Sequence, residues 1–297
     1  VSELTALVTG AAGFIGRHMS AELEARGYRV THIDTVLACE CCPPTDARHH
    51  FAWDVRTFDL VVHCAFHVGG RAAIEGEPRL LARNLELDAA MFDWAVRTGQ
   101  PRVLYFSSSA AYPVTLQTAD LAPRKLREAD MGKGKPDARY GLAKYVGEHL
   151  AAAAAESGLC VHVVRPFSGY GTDQSLDYPF PSFIARAAKH ADPFVIWGDG
   201  SQVRDWIHVD DVVNGALAIV AKDLCQPYNL CTGTGYSMLA LAELACEIAG
   251  YSPKFEFLAD KPAGVAHRVG DADAFLRHWI PRVSLREGVT RALKGAG

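Results

Sequence analysis

Tyr140 and Lys144 stand four residues apart in the run RYGLAKYVGEHLAAAAAE, residues 139–156. The run is rich in strong helix formers, and residues four apart on a helix share a face. A phenol beside an ammonium can become a proton acceptor. Tyrosine alone titrates near ~10, and a fixed positive neighbour favours the phenolate. The same spacing arises by chance in ordinary helices. Catalysis by this pair therefore requires a cofactor site and a third polar group from elsewhere in the chain.

The elements that must position the pair begin at the first residues. Residues 4–8 (LTALV) form a short apolar run expected to be a buried strand. It leads into TGAAGFIG (9–16), a helical pattern to residue 26, Gly27 as a stop, and the strand YRVTHID (28–34). Strand, glycine turn, helix and strand make one βαβ unit. Gly10, Gly13 and Gly16 let the backbone approach a pyrophosphate at the helix N-terminus. Asp34 closes the second strand, where a carboxylate holds the adenosine ribose hydroxyls and repels a 2′-phosphate, so NAD is expected over NADP.

Residues 49–55 and 58–66 read as two further strands with Asp54 between them. So short a gap leaves no room for a crossover helix, so the doubly wound pattern is abbreviated here. Asp54 either contacts the adenine amino group or caps a strand end. A helix over 79–98 stopped by Gly99 and a strand over 101–107 follow, the latter ending in Ser107, Ser108 and Ser109. Hydroxyls at the carboxyl end of a parallel strand face the ligand cleft, although a serine run also suits a solvated turn. Beyond the tyrosine helix the patterns predict a strand over 159–165, a helix over 179–189, a helix over 212–221, a strand from 228 and an amphipathic helix over 238–249.

A chain of 297 residues with 49% hydrophobic and 22% charged residues is composed like a globular protein of one large or two smaller domains. A net charge of −4 offers no basic field for nucleic acid. No apolar stretch approaches the ~18 residues that span a bilayer, and no signal-peptide pattern opens the chain, so a soluble cytoplasmic protein is expected. The cysteines are scattered. Only Cys39, Cys41 and Cys42, followed by His49 and His50, hint at a metal, and they lack the separated pairs of structural zinc, so reduced thiols in a loop and no metal are expected.

TGAAGFIG, the strand-end serines, YGLAK (140–144), RPFSGYG (165–171) and WGDGSQVRDWIHVDD (197–211) occur in an order that resembles the extended short-chain dehydrogenases/reductases. The likeness is to their NAD-dependent sugar-nucleotide epimerase/dehydratase kind and runs from Leu4 to about Leu293. Some features are similar to the GDP-mannose 3,5-epimerase and GDP-fucose synthase branch. The resemblance implies an α/β fold, a Rossmann-type doubly wound parallel sheet with a smaller α/β substrate lobe. Residues 1–170 would bind NAD, with 203–232 returning to that domain, and 171–202 with 233–297 would form the lobe. It implies Tyr140 as base, Lys144 as its partner and nicotinamide-ribose ligand, and Ser108 as the third catalytic group. Phe14, Ile15 and Ala65 join Gly10, Gly13, Gly16, Asp34 and Asp54 as cofactor contacts. Ser109, Ser168, Trp197, Arg204 and Arg268 are the implied substrate contacts. Ser168 stands where the family commonly has Asn, and Trp197 also fits a buried strand position. Asp205, Asp210 and Asp211 read as loop and cap groups rather than metal ligands. Helices 79–98 and 140–156 often build a homodimer in this family.

Departures from the family narrow the chemistry expected. Dehydratases carry an acid after the catalytic Ser/Thr, whereas this chain has Ser109 and Ala110. The 3,5-epimerases, similar in Val68-Gly69-Gly70, use a cysteine where Ala110 stands, and a His or Lys near the position of Tyr178 and Pro179. Oxidation and re-reduction at C4 needs only Ser108, Tyr140 and Lys144, so an NAD-dependent nucleotide-sugar 4-epimerase is expected. Dehydrogenase, reductase or 3,5-epimerase chemistry, including on a GDP-sugar, is the alternative. A non-catalytic NAD-binding regulatory protein is the reading from another class.

Overall fold

The computed structural model describes residues 3–36, 44–69, 77–262 and 264–296. Two groups of residues read from the sequence, Cys39 to Cys42 and Gly70, lie outside them.

β1 (Thr5–Thr9) shows why the sequence makes a parallel sheet. Its residues are apolar on both faces: Ala6 and Val8 enter one core, and Leu7 enters the opposite one. Around it assemble β2 (Arg29–Ile33), β3 (Leu60–His63), β4 (Arg102–Phe106), β5 (Cys160–Pro166) and β9 (Tyr228–Leu230). The strands are all parallel, in the order β2-β1-β3-β4-β5-β9. One face is covered by α1 (Phe14–Ala25) and α6 (Val209–Ala221), which contribute Met19, Leu23, Val212 and Ala216. The other is covered by α2 (Ala47–Trp53), α3 (Leu80–Arg97) and α4 (Ala138–Glu156), which contribute Phe51, Met91, Ala151 and Ala154. Helices on both faces make the fold doubly wound. Strand order reverses beside β1, the place where such sheets bind ligands.

One expected strand is a helix. Residues 49–55 alternate in a way that suggests period two, yet Ala47–Trp53 is helical. Asp46 caps it, its side chain accepting from the Arg48 N–H at 2.9 Å, and Ala47 and Phe51 bury one face four residues apart. The connection from β2 to β3 therefore contains a crossover helix, where two strands split by a short gap were expected, and β2 is the sheet edge among the described residues.

A smaller sheet carries β6 (Ser168–Tyr170), β8 (Val203–His208), β10 (Gly235–Ser237) and β12 (His267–Arg268), while β7 (Phe194–Trp197) pairs with β11 (Phe255–Leu258). β8 thus pairs within the smaller sheet, and α6, which follows it from Val209, packs on the large sheet. α5 (Pro179–Ala188), α7 (Met238–Ala249) and, after the short α8 (Asp273–Leu276), α9 (Leu285–Ala296) surround a separate core of Phe180, Ile184, Leu241 and Val289. No helix among the described residues is long and apolar enough to cross a membrane.

Candidate active site

Gly10 ends β1 at φ +66°, a conformation that disfavours side chains, and a Cβ there would lie 2.6 Å from the Ala65 nitrogen. The glycine turn therefore sits directly on the chain leaving β3. Asp34, at the end of β2, accepts from the Ala12 N–H at 3.0 Å and from the Val36 N–H at 3.1 Å. These bonds fix its carboxylate at the mouth of a cleft of about 520 Å³. Gly13, Phe14, Ile15, Gly16 and Ala65 line the same end. A backbone cradle at a helix N-terminus with a carboxylate beside it suits a dinucleotide.

Deeper in the cleft the end of β4 supplies the serines. All three are buried, contrary to a solvated turn. Ser107 lines the cleft but its hydroxyl is engaged elsewhere. Its hydroxyl bonds Glu148, which forms a buried ion pair with Arg165 at 2.6 Å. Ser108 caps the following turn, accepting from the Ala110 N–H at 3.1 Å, and its side chain acts on the Tyr140 phenol to lower it. Ser109 lines the cleft beside it.

α4 presents Tyr140 because its first turn is pressed against that serine turn. The Asp137 N–H donates to the Ala110 carbonyl at 3.0 Å, and a Cβ on Gly141 would lie 2.2 Å from the same oxygen. Glycine at 141 is therefore required for the close approach. Ala138, between them, is held at φ +53°, which costs a non-glycine residue about 1–3 kcal/mol.

The electrostatics differ from a simple Tyr–Lys pair. Burial pushes the Tyr140 phenol above its usual range, opposed by the Ser108 hydrogen bond and the Arg268 charge, while Asp88 adds to the rise. The positive neighbour acting on the phenol is therefore Arg268. Lys144 is buried, its ammonium 3.5 Å from the Phe66 ring centroid and 4.9 Å from that of Tyr105. Desolvation lowers it to about 8, and Asp88, Cys64 and Glu148 work against that fall. Asp88 is itself fixed by the Tyr105 hydroxyl at 2.6 Å and His63 at 3.2 Å, and His63 is bonded to Thr9 at 2.8 Å. A buried polar chain thus runs from Thr9 on β1 to Asp88, whose charge acts on the lysine.

Across the cleft, Arg204 on β8 and Arg268 on β12 are directly paired in parallel register, so they stand side by side. Both line the cleft, as does Ser168 on β6. Two guanidiniums on one face can bind a diphosphate. Arg268 already donates to Gln117 at 2.6 Å and to Asp137 at 2.8 Å. Asp54 and Trp197 are not brought into this cleft. Asp54 closes α2, its carboxylate bonded to Arg56 and 3.2 Å from His50. Trp197 is 44% exposed on β7. Asp205 clamps the Thr232–Gly233 turn and the Gly270 N–H, and Asp211 accepts from the Arg282 and Val283 N–H groups.

Sequence reasoning missed Phe66, whose ring also meets Tyr140 edge-on at 5.5 Å, and Asp137. The signal for Phe66 was its place at the end of the apolar run 58–66; Asp137, three residues before the tyrosine, was recognisable as a helix cap position. Tyr178 also lines the cleft, and burial raises its phenol, so it can donate a hydrogen bond but is a poor base.

A sequence model of the NAD dependent epimerase/dehydratase family matches residues 6–231. The chain belongs to that family. It is an enzyme of the family, with NAD as cofactor, and the glycine turn and Asp34 fit that group. The chain is 31% identical to dTDP-4-dehydro-6-deoxy-D-allose reductase of Streptomyces bikiniensis, over 90% of this chain and 88% of that one. It is 26% identical to a probable GDP-L-fucose synthase 1 of Oryza sativa subsp. japonica, over 97% and 90%. Among solved structures, MoeE5 in complex with UDP-glucuronic acid and NAD superimposes with a TM-score of 0.85 at 28% identity, covering 98% of each chain.

Proposed function

We propose that this family member is a nucleotide-sugar 4-epimerase acting through a transient 4-keto intermediate. The observation that carries the reading is the constellation that lines one cleft: Ser108, Tyr140 and Lys144 together, with Ala110 where elimination chemistry needs an acid. Tyr140 takes the proton of the C4 hydroxyl, and Ser108 holds that oxygen while it changes charge. Arg268 supplies the positive potential that makes the phenolate accessible, and Lys144 stands ready to hold the nicotinamide ribose. NAD, when bound, accepts the C4 hydride and returns it. Arg204 and Arg268 hold the diphosphate, with Ser109 and Ser168 as further polar contacts. The proposal includes a cytoplasmic location and a homodimer through α3 and α4, which pack side by side and expose Val96 and Leu142.

A second reading, reduction of a 4-keto nucleotide sugar, is favoured by the reductase relative at 31% identity. Incubation with UDP-, GDP- and dTDP-sugars, followed by NMR, separates the two. An epimerase interconverts C4 epimers without net change in NADH, whereas a reductase consumes NADH in step with a keto substrate. Solvent deuterium appearing at C3 or C5 would overturn the 4-epimerase reading. Tyr140→Phe is expected to lower turnover at least ~100-fold while leaving NAD affinity, followed by calorimetry, within a few-fold. Unchanged turnover would favour a non-catalytic NAD-binding protein.

A further inference from the structure

At the end of the sheet opposite the cleft, four side chains converge that the proposed reaction does not use. Cys160 and His162 begin β5; Asp223 and Cys225 lie in the loop after α6. One ligand atom from each lies within 4.8 Å of the others. Here the two sulfurs are joined as a disulfide, with Cα atoms 6.0 Å apart.

We propose that the reduced protein binds one zinc ion through Cys160, His162, Asp223 and Cys225. The imidazole carries the inference. His162 is fully buried, and its Nδ1 lies 2.9 Å from the Leu224 carbonyl. A carbonyl only accepts, so Nδ1 bears the hydrogen and Nε2 keeps the lone pair. That second hydrogen bond is the one metal-binding histidines use to fix ring and tautomer. Nε2 is aimed at the cluster, 3.6 Å from Cys160 Sγ and 3.9 Å from Asp223 Oδ1, while Cys160 Sγ lies 3.6 Å from Asp223 Oδ1. A tetrahedral zinc with ordinary bond lengths has ligand–ligand edges of roughly 3.3–3.8 Å. Three of the contacts are thus close to those of a zinc site before any ion is present.

Asp223 holds φ +54°, a conformation that Asp tolerates better than most residues, and this turn directs it and Cys225 to the same point. The disulfide and the zinc site exclude one another. A thiol reductant supplies two electrons and two protons, converting Cys160–Cys225 to two thiols. Zinc then displaces both thiol protons to bind the thiolates. The two states clamp β5 to the same loop, closing a sequence separation of 65 residues by a covalent bond in one and by an ion in the other.

The test uses the full chain, reduced with a phosphine, freed of metal and titrated with zinc sulfate against a chromophoric chelator. One equivalent of high-affinity zinc is expected, with a rise in melting temperature. Cobalt in its place should give a thiolate charge-transfer band of tetrahedral type. Cys160→Ser/Cys225→Ser and His162→Ala should lose that equivalent. A Cys39→Ser/Cys41→Ser/Cys42→Ser variant should keep it. Retained NAD binding and circular dichroism identify the folded variants. No zinc uptake by reduced wild type with its thiols verified free, or zinc retained by the Cys160/Cys225 double variant, overturns the proposal.

Discussion

Lys144 combines two demands that conflict. An ammonium buried against Phe66 and Tyr105 is drawn down to about 8 by loss of water. A base whose pKa is depressed from ~10.5 on folding destabilises the native state below about pH 8, and the penalty fades as pH rises towards the unfolded value. Lys144→Met, of similar length, should therefore abolish turnover and raise the stability of NAD-free protein at pH 7 by about 2–3 kcal/mol. Thermal melts across pH read the sign, and the advantage should shrink above about pH 8. A variant less stable than wild type at pH 7 would contradict this account. At this scale the sequence named candidate reacting groups but not their surroundings. Tyr140 and Lys144 were singled out by residue type and spacing and Ser108 by the family resemblance, and all three line one cleft. The dominant charge on Tyr140, from Arg268, comes from a residue 128 positions away and could not be read from local pattern.

Among the elements, α4 and the turn after β4 form one contact surface, with Gly141 at its tightest point. Gly141→Ala must push the Ala110 carbonyl away and shift Tyr140 with it. A loss of about 1–3 kcal/mol is expected from overpacking, accompanied by a fall in turnover larger than any fall in NAD affinity. Denaturant melts and steady-state kinetics check both parts. β1, β3, β4 and β5 were legible because each is a short run buried on two faces. α2 was not: His49, His50, Phe51 and Trp53 mimic alternation, while the decisive information lay in the Asp46 cap and the Ala47–Phe51 spacing. Misreading α2 also misplaced Asp54, which terminates the helix instead of facing the cleft.

Over the whole molecule, polar networks join elements far apart in sequence. Arg165 bonds Glu148, the Tyr112 hydroxyl and the Glu128 carbonyl, and Tyr112 continues to Asn229 on β9. Burial alone would lower the guanidinium, but Glu148 and Tyr112 drive it upward. Arg165→Met leaves Glu148 buried without its counter-charge and should cost about 3–5 kcal/mol, measured by denaturant unfolding; Glu148→Leu in the same chain should recover part of that loss. Such networks leave no periodic trace, which is why the architecture was legible and its internal wiring was not. The Asp137–Arg268 pair has a consequence for the ionic atmosphere of the proposed reaction. A diphosphate that reaches Arg268 must compete with a carboxylate already seated there, so part of the favourable charge contact replaces another. Added salt weakens both rivals together. Nucleotide-sugar affinity should consequently fall more gently with ionic strength than in Asp137→Asn, where no carboxylate at position 137 competes with the phosphates.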